Sequence, residues 1–131
     1  MQPELAERLR QRTRNFSVRI VRLYEVISAK PAGRVIGNQL LRSGTSIGAN
    51  YRAACRSRST AEFAARLAVA LEEADETAYW LELLVETGLI LPERTSELAK
   101  ECEEFIRIFA TAAHTTRERF GNQNSKFKNR N

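Results

Sequence analysis

The chain has 131 residues, 43% hydrophobic and 28% charged, which is the balance of one globular domain able to bury a real core. Six glycines and three prolines are too few to punctuate an all-β fold, and no apolar run approaches the roughly 18 residues of a membrane span. The net charge of +5 is modest but very unevenly distributed along the sequence.

The first segment, Met1 to Arg14, alternates charges with single leucines and has no apolar signal core, so a cytoplasmic location is expected. Phe16, Ile20, Leu23 and Ile27 then step by helical intervals, and Leu5 and Leu9 extend the stripe backwards. Lys30-Pro31-Ala32-Gly33 should end this first helix, because proline cannot continue the hydrogen-bond ladder. A second helix is predicted from about Arg34 to Arg56, with Ile36, Leu40, Ile47, Tyr51 and Ala54 as its stripe. Gly44 and Gly48 within it each cost about 1 kcal/mol relative to alanine. A close approach by a neighbouring helix would compensate, and the alanine-rich third segment is the expected neighbour.

Ser59-Thr60-Ala61-Glu62 reads as a capping box that opens the third helix. Phe63, Leu67, Ala70, Ala74, Ala78, Leu81 and Val85 form its stripe, and Gly88 supplies a C-terminal stop. Pro92 suits the first turn of a fourth helix, whose apolar residues are Leu98, Phe105, Ile108, Phe109 and Ala112. Gly121 to Asn131 is polar and basic and reads as a disordered tail, leaving 1–120 as the folded domain. Four amphipathic helices with short connections predict an all-α, antiparallel up-down-up-down four-helix bundle.

Charge divides the chain into three blocks. Met1 to Arg58 holds twelve Lys/Arg against three Asp/Glu, Ser59 to Glu104 three against twelve, and Phe105 to Asn131 six against one. The first two helices are therefore basic and arginine-rich, while the third helix and the start of the fourth are acidic. Arginine presents a planar fork of donors suited to phosphate oxygens. On one reading, Arg8, Arg12, Arg19, Arg22, Arg52 and Arg56 contact nucleic-acid phosphates, helped by Lys126, Lys128 and Arg130. On the other, basic and acidic faces pair with each other, within or between protomers. A membrane-surface role fits poorly, because the basic helices lack a broad apolar face.

No catalytic constellation can be assembled. His114 is the only histidine, and Glu72, Glu73, Asp75 and Glu76 have no histidine at the spacing of a di-metal bundle. Gly44 and Gly48 lie inside a predicted helix, not in a phosphate loop. Cys55 and Cys102 sit in no CxxC pair and read as small helix residues at or near the core. A disulfide would require the second and fourth helices to bring them together. No catalytic residue, metal or cofactor is expected.

Two runs carry a family resemblance. Asn38-Gln39-Leu40-Leu41-Arg42-Ser43-Gly44-Thr45-Ser46-Ile47-Gly48-Ala49-Asn50-Tyr51 resembles the signature of the four-helix bundle proteins first noticed as reading frames in intervening sequences of 23S ribosomal RNA genes. Glu72 to Leu84 is similar to the third-helix motif of that family, and Gly88-Leu89-Ile90 to the turn that follows. The similarity spans about Phe16 to Ala112. It implies an up-down bundle that assembles into rings, typically homopentamers, without known enzymatic activity. A relative in diversity-generating retroelements, the accessory variability protein, binds nucleic acid and a reverse transcriptase. This chain departs from the family at Ala53, where a glutamate is common.

Ser43, Ser46 and Asn50 lie on one side of the second helix, where hydrogen bonds to Glu72 or Glu76 would fix register with the third. Tyr79 and Trp80 straddle the third stripe and suit core-edge or subunit-interface packing, with base stacking as the secondary reading. The expectation is thus a non-enzymatic homo-oligomer whose arginines bind RNA or DNA. The alternative is an adaptor whose charged faces meet a protein such as a polymerase.

Overall fold

The computed structural model describes residues 2–128, with side chains from 2 to 119. Helix α1 spans Pro3–Ile27, α2 Pro31–Cys55, α3 Thr60–Glu86 and α4 Pro92–Lys128. Consecutive helices pack antiparallel along their lengths, and α1 meets α4 more sparsely to close an up-down four-helix bundle. Among the described residues, no helix is long and apolar enough to cross a membrane. The expected tail, 121–131, lies outside the residues whose side chains are described, although the α4 backbone carries on as helix to Lys128.

The buried residues follow the sequence stripes. Phe16, Ile20, Leu23 and Ile27 face inward from α1, Leu40, Ile47, Tyr51 and Ala54 from α2, and Leu67, Ala70, Ala74 and Leu81 from α3. Aromatic rings connect three helices: Phe16 meets Phe105 edge-on at 5.4 Å, Phe105 stacks on Phe109 at 6.1 Å, and Phe109 lies 5.6 Å from Tyr51. Such contacts add to simple area burial. Leu5, in the first turn of α1, is an exception to its stripe and stays half exposed.

Helix boundaries follow local chemistry. Pro31 does more than stop α1: it occupies the first turn of α2, whose N-cap, Lys30, has an extended backbone. The second helix therefore starts three residues earlier than Arg34, and Gly33 makes this possible. A Cβ there would lie 2.1 Å from the Ile27 carbonyl oxygen, so only glycine lets the end of α1 abut α2. The α3 cap forms as half of the predicted box. The Ser59 hydroxyl accepts from the Glu62 backbone N–H at 3.1 Å, while the Glu62 carboxylate accepts from the Arg58 N–H at 3.3 Å. At the other end of α3, Gly88 takes φ +74°, and the Leu89 N–H reaches back to the Leu84 carbonyl at 3.0 Å.

The glycines of α2 face α1, not the alanines of α3. A Cβ on Gly44 would stand 2.9 Å from Ile20, and one on Gly48 3.3 Å from the Thr13 carbonyl oxygen. Adjacent residues of a helix point about 100° apart, so Gly44 turns to α1 while Ser43 turns to α3. There the Ser43 and Thr77 hydroxyls share a buried hydrogen bond of 2.9 Å.

Candidate nucleic-acid interface

Arg8, Arg12, Arg19 and Arg22 share one face of α1 by their spacing, and that face borders α4. Arg12 is bound to both Glu101 and Glu104, the latter at 3.0 Å, and its guanidinium lies 5.4 Å from the Phe105 ring centroid. Arg19 pairs with Glu97 at 3.2 Å. Half of the expected stripe is therefore engaged in joining α1 to α4. Arg8 and Arg22, at its two ends, are exposed and form no ion pair among the described residues.

Arg52 and Arg56 lie one turn apart at the end of α2, both exposed and without an ion pair among the described residues. With Arg58, from the connection to α3, they line a surface groove of about 520 Å³ in which Glu62 is the one carboxylate among the described residues. The sequence reading counts Arg58 among the basic arginines but places only Arg52 and Arg56 in the phosphate-binding set. A cation in the loop between two helices carries no periodic signal, and only the capping box beside it marked the place.

The fold gathers these charges in a way that the helix-by-helix tally conceals. Antiparallel packing brings the start of α1, the end of α2, the start of α3 and the end of α4 to one end of the bundle. That half (residues 2–14, 48–70 and 105–119) holds eleven Lys/Arg against four Asp/Glu. The other half (15–47 and 71–104) holds seven against twelve. Charge is thus segregated along the bundle axis as well as between helix pairs.

The two sequence motifs meet at the α2–α3 seam. Arg42 binds Glu76 and also Glu73, at 3.2 Å, while the Trp80 indole N–H donates to Glu76 at 3.1 Å. Tyr79 packs edge-on against Trp80 at 4.9 Å and is 55% exposed. The cross-helix bonds expected of the motif are differently made. Ser46 donates to the Arg42 carbonyl at 2.7 Å and Asn50 to the Ser46 carbonyl at 2.9 Å, both within α2. Of the three polar residues only Ser43 reaches α3, and its partner is Thr77 rather than Glu72 or Glu76. Arginine reaches the carboxylates because its long stem spans the seam, which a serine or asparagine side chain cannot. Arg42, Glu73 and Thr77 all stand inside the two motif runs, so those runs held the signal that the spacing argument passed over.

Two cysteines and the histidine complete the inventory of reactive groups. Both cysteines are free. Cys102 is buried, donates to the Ala74 carbonyl at 3.1 Å, and has its thiol pushed up to about 12 by burial and by nearby Glu103 and Asp75. Cys55 is half-buried at the basic end. His114 is exposed and lies 3.1 Å from Glu118, one turn further along α4.

Comparison with known proteins gives these features a context. No curated protein matches the chain. Among solved structures, the chain is similar to a protein of unknown function from the S23 ribosomal protein family of Bacteroides thetaiotaomicron. The two are 39% identical, with a TM-score of 0.75, over 79% of this chain and 96% of that one. Residues 7–111 match the family described as 23S rRNA-intervening sequence protein. That match takes in both motif runs, the α2–α3 seam and the arginine-rich end of α2, and on its extent the chain belongs to the 23S rRNA-intervening sequence protein family.

Proposed function

We propose that this protein is a non-enzymatic, cytoplasmic homo-oligomer that binds RNA or DNA phosphates through the arginine-rich end of its bundle. A pentameric ring is the assembly that the family resemblance implies. The observation that carries the reading is the set of unpaired cations at that end. Arg8, Arg52 and Arg56 are exposed and form no ion pair among the described residues, within a half that has eleven basic groups against four acidic ones. Arg12 and Arg19 join the two helices and contribute less, since their charge is already met by Glu97, Glu101 and Glu104. Arg22, on the other half, adds an isolated cation. Contacts of this kind go to the phosphate backbone and read little sequence.

The test is fluorescence anisotropy of labelled duplex DNA and structured RNA across a salt series. Phosphate-driven binding to duplex makes log K fall linearly with log salt, with a slope of about −0.9 for each neutralised phosphate. Replacing Arg52 and Arg56 with alanine should flatten that slope by roughly 2. Replacing Arg12 and Arg19 should change it little. Absence of binding at low salt would overturn the reading.

A second reading has one observation in its favour. A surface groove of about 300 Å³ between α3 and α4 is floored by Ala78, Leu81, Val85 and Ala99 and rimmed by Glu82, Glu86 and Glu103. An apolar floor with an acidic rim suits a basic, amphipathic protein segment. On this adaptor reading the acidic half meets a protein partner, and pull-down after nuclease treatment would retain that partner.

A further inference from the structure

The basic end also contains an open cavity, which shares only Arg58 with the groove beside Arg52 and Arg56. It measures about 830 Å³ and lies among the first turns of α1, the end of α2, the start of α3 and the stretch of α4 from Ala112 to Arg119. Its described lining includes Arg10, Arg58 and Arg119 and no carboxylate. Glu7 holds Arg10 through Nε at 3.0 Å but stands outside that lining. Phe63 and alanines supply apolar wall, and Cys55 opens onto the same space. The volume is within the range of small-molecule sites, about 300 to 1,000 Å³.

We propose that this cavity binds a nucleotide through its terminal phosphate. The Arg58 and Arg119 guanidinium groups take the phosphate, Arg10, held by Glu7, adds less, and the apolar wall at Phe63 takes the base. Arg58 and Arg119, beside an Arg10 already held by Glu7, give a cationic lining that favours a monoester, which carries about −1.5 to −2 at neutral pH, over a diester with a single charge. Guanidinium forks match phosphate oxygens in pairs. An aromatic wall offers a stacking surface that every base can use. The start of α3 adds the positive end of its helix dipole, a smaller contribution. The site does not depend on binding of long nucleic acid, because it takes a phosphate end and not a run of diesters. Such an end has two sources, a free mononucleotide or the 5′ end of a strand.

Cys55 makes occupancy measurable. Cys55 lines the cavity and is only half-buried, whereas Cys102 is buried and serves as a silent control in the same molecule. The full-length protein is alkylated with iodoacetamide, and the rate at Cys55 is followed by mass spectrometry with adenosine 5′-monophosphate, adenosine, and a short oligonucleotide with or without a 5′ phosphate. Occupancy at about ten times Kd slows the reaction about tenfold. Protection by the monophosphate and not by adenosine identifies the free nucleotide as a source. Protection by the 5′-phosphorylated strand alone identifies a strand end. Arg58→Ala and Arg119→Ala should each reduce the protection, read as the ratio of the rates with and without probe in the same variant, with helical circular dichroism unchanged. Equal protection by adenosine or by the 5′-hydroxyl strand overturns the proposal, as does no protection by any phosphorylated probe. The salt series with unphosphorylated duplex tests the backbone surface separately, so either idea can fail alone.

Discussion

Gly44 shows how one residue can settle a helix crossing. A Cβ there would come within 2.9 Å of two carbons of Ile20, a fully buried side chain with nowhere to retreat. Gly44→Ala gains about 1 kcal/mol of helix propensity but forces an overpacked core costing about 1–3 kcal/mol. Net destabilisation of about 1 kcal/mol is expected from urea unfolding. Gly48→Ala is the control: its nearest contact is 3.3 Å, so the two effects should nearly cancel. Cys102 yields a different prediction. Its thiol is held un-ionised up to about 12 in the folded protein, against an ordinary value of 9.0, because burial penalises the thiolate. A group whose pKa is raised on folding contributes stability below its unfolded pKa and loses it as pH rises toward the folded value. Stability should therefore fall as pH rises from 9 toward about 12. Urea midpoints at pH 8 and pH 10 should differ less in Cys102→Ala than in the native protein.

Between elements, the α2–α3 seam is where the sequence signature becomes a physical joint. Ser43 and Thr77 share a fully buried hydrogen bond, with Arg42, Glu73, Glu76 and Trp80 around it on the accessible side. Ser43→Ala leaves a buried hydroxyl with one partner fewer and should lower stability by about 1 kcal/mol. The single tryptophan, Trp80, lies in the seam and reports unfolding by its emission, so an unchanged midpoint would show that the bond carries no weight. The four helices were legible because Phe16, Ile20, Leu23 and Ile27, and their counterparts, repeat at helical spacing, and burial follows that spacing directly. The partner of each face was not legible. A rotation of one residue, from Ser43 to Gly44, decides whether α2 shows α3 a hydroxyl or α1 a bare backbone. Likewise Arg12 and Glu101 are 89 residues apart, and only inter-helix register brings them together. Half of the predicted arginine stripe on α1 was therefore already paired, while Arg58 lay outside any periodic signal.

At the scale of the whole molecule, the arginine-rich end and the acidic end are separated by nearly the full length of a helix. From the start of α3 to its end is 27 residues, which at 1.5 Å each is about 40 Å. The Debye length is about 8 Å at physiological salt and about 30 Å at 0.01 M. Carboxylates at the far end, Glu82, Glu86 and Glu93, would thus be screened from a phosphate held as proposed beside Arg52 and Arg56 in the first condition and felt in the second. Replacing all three with glutamine should leave nucleic-acid affinity at 0.15 M unchanged. At 0.01 M the same variant should associate faster, because repulsion of the approaching polyanion is relieved. Stopped-flow association at the two salt concentrations separates these effects. A change in affinity at 0.15 M would mean that these carboxylates act on the bound nucleic acid directly, and binding could then no longer be assigned to the arginine-rich end alone.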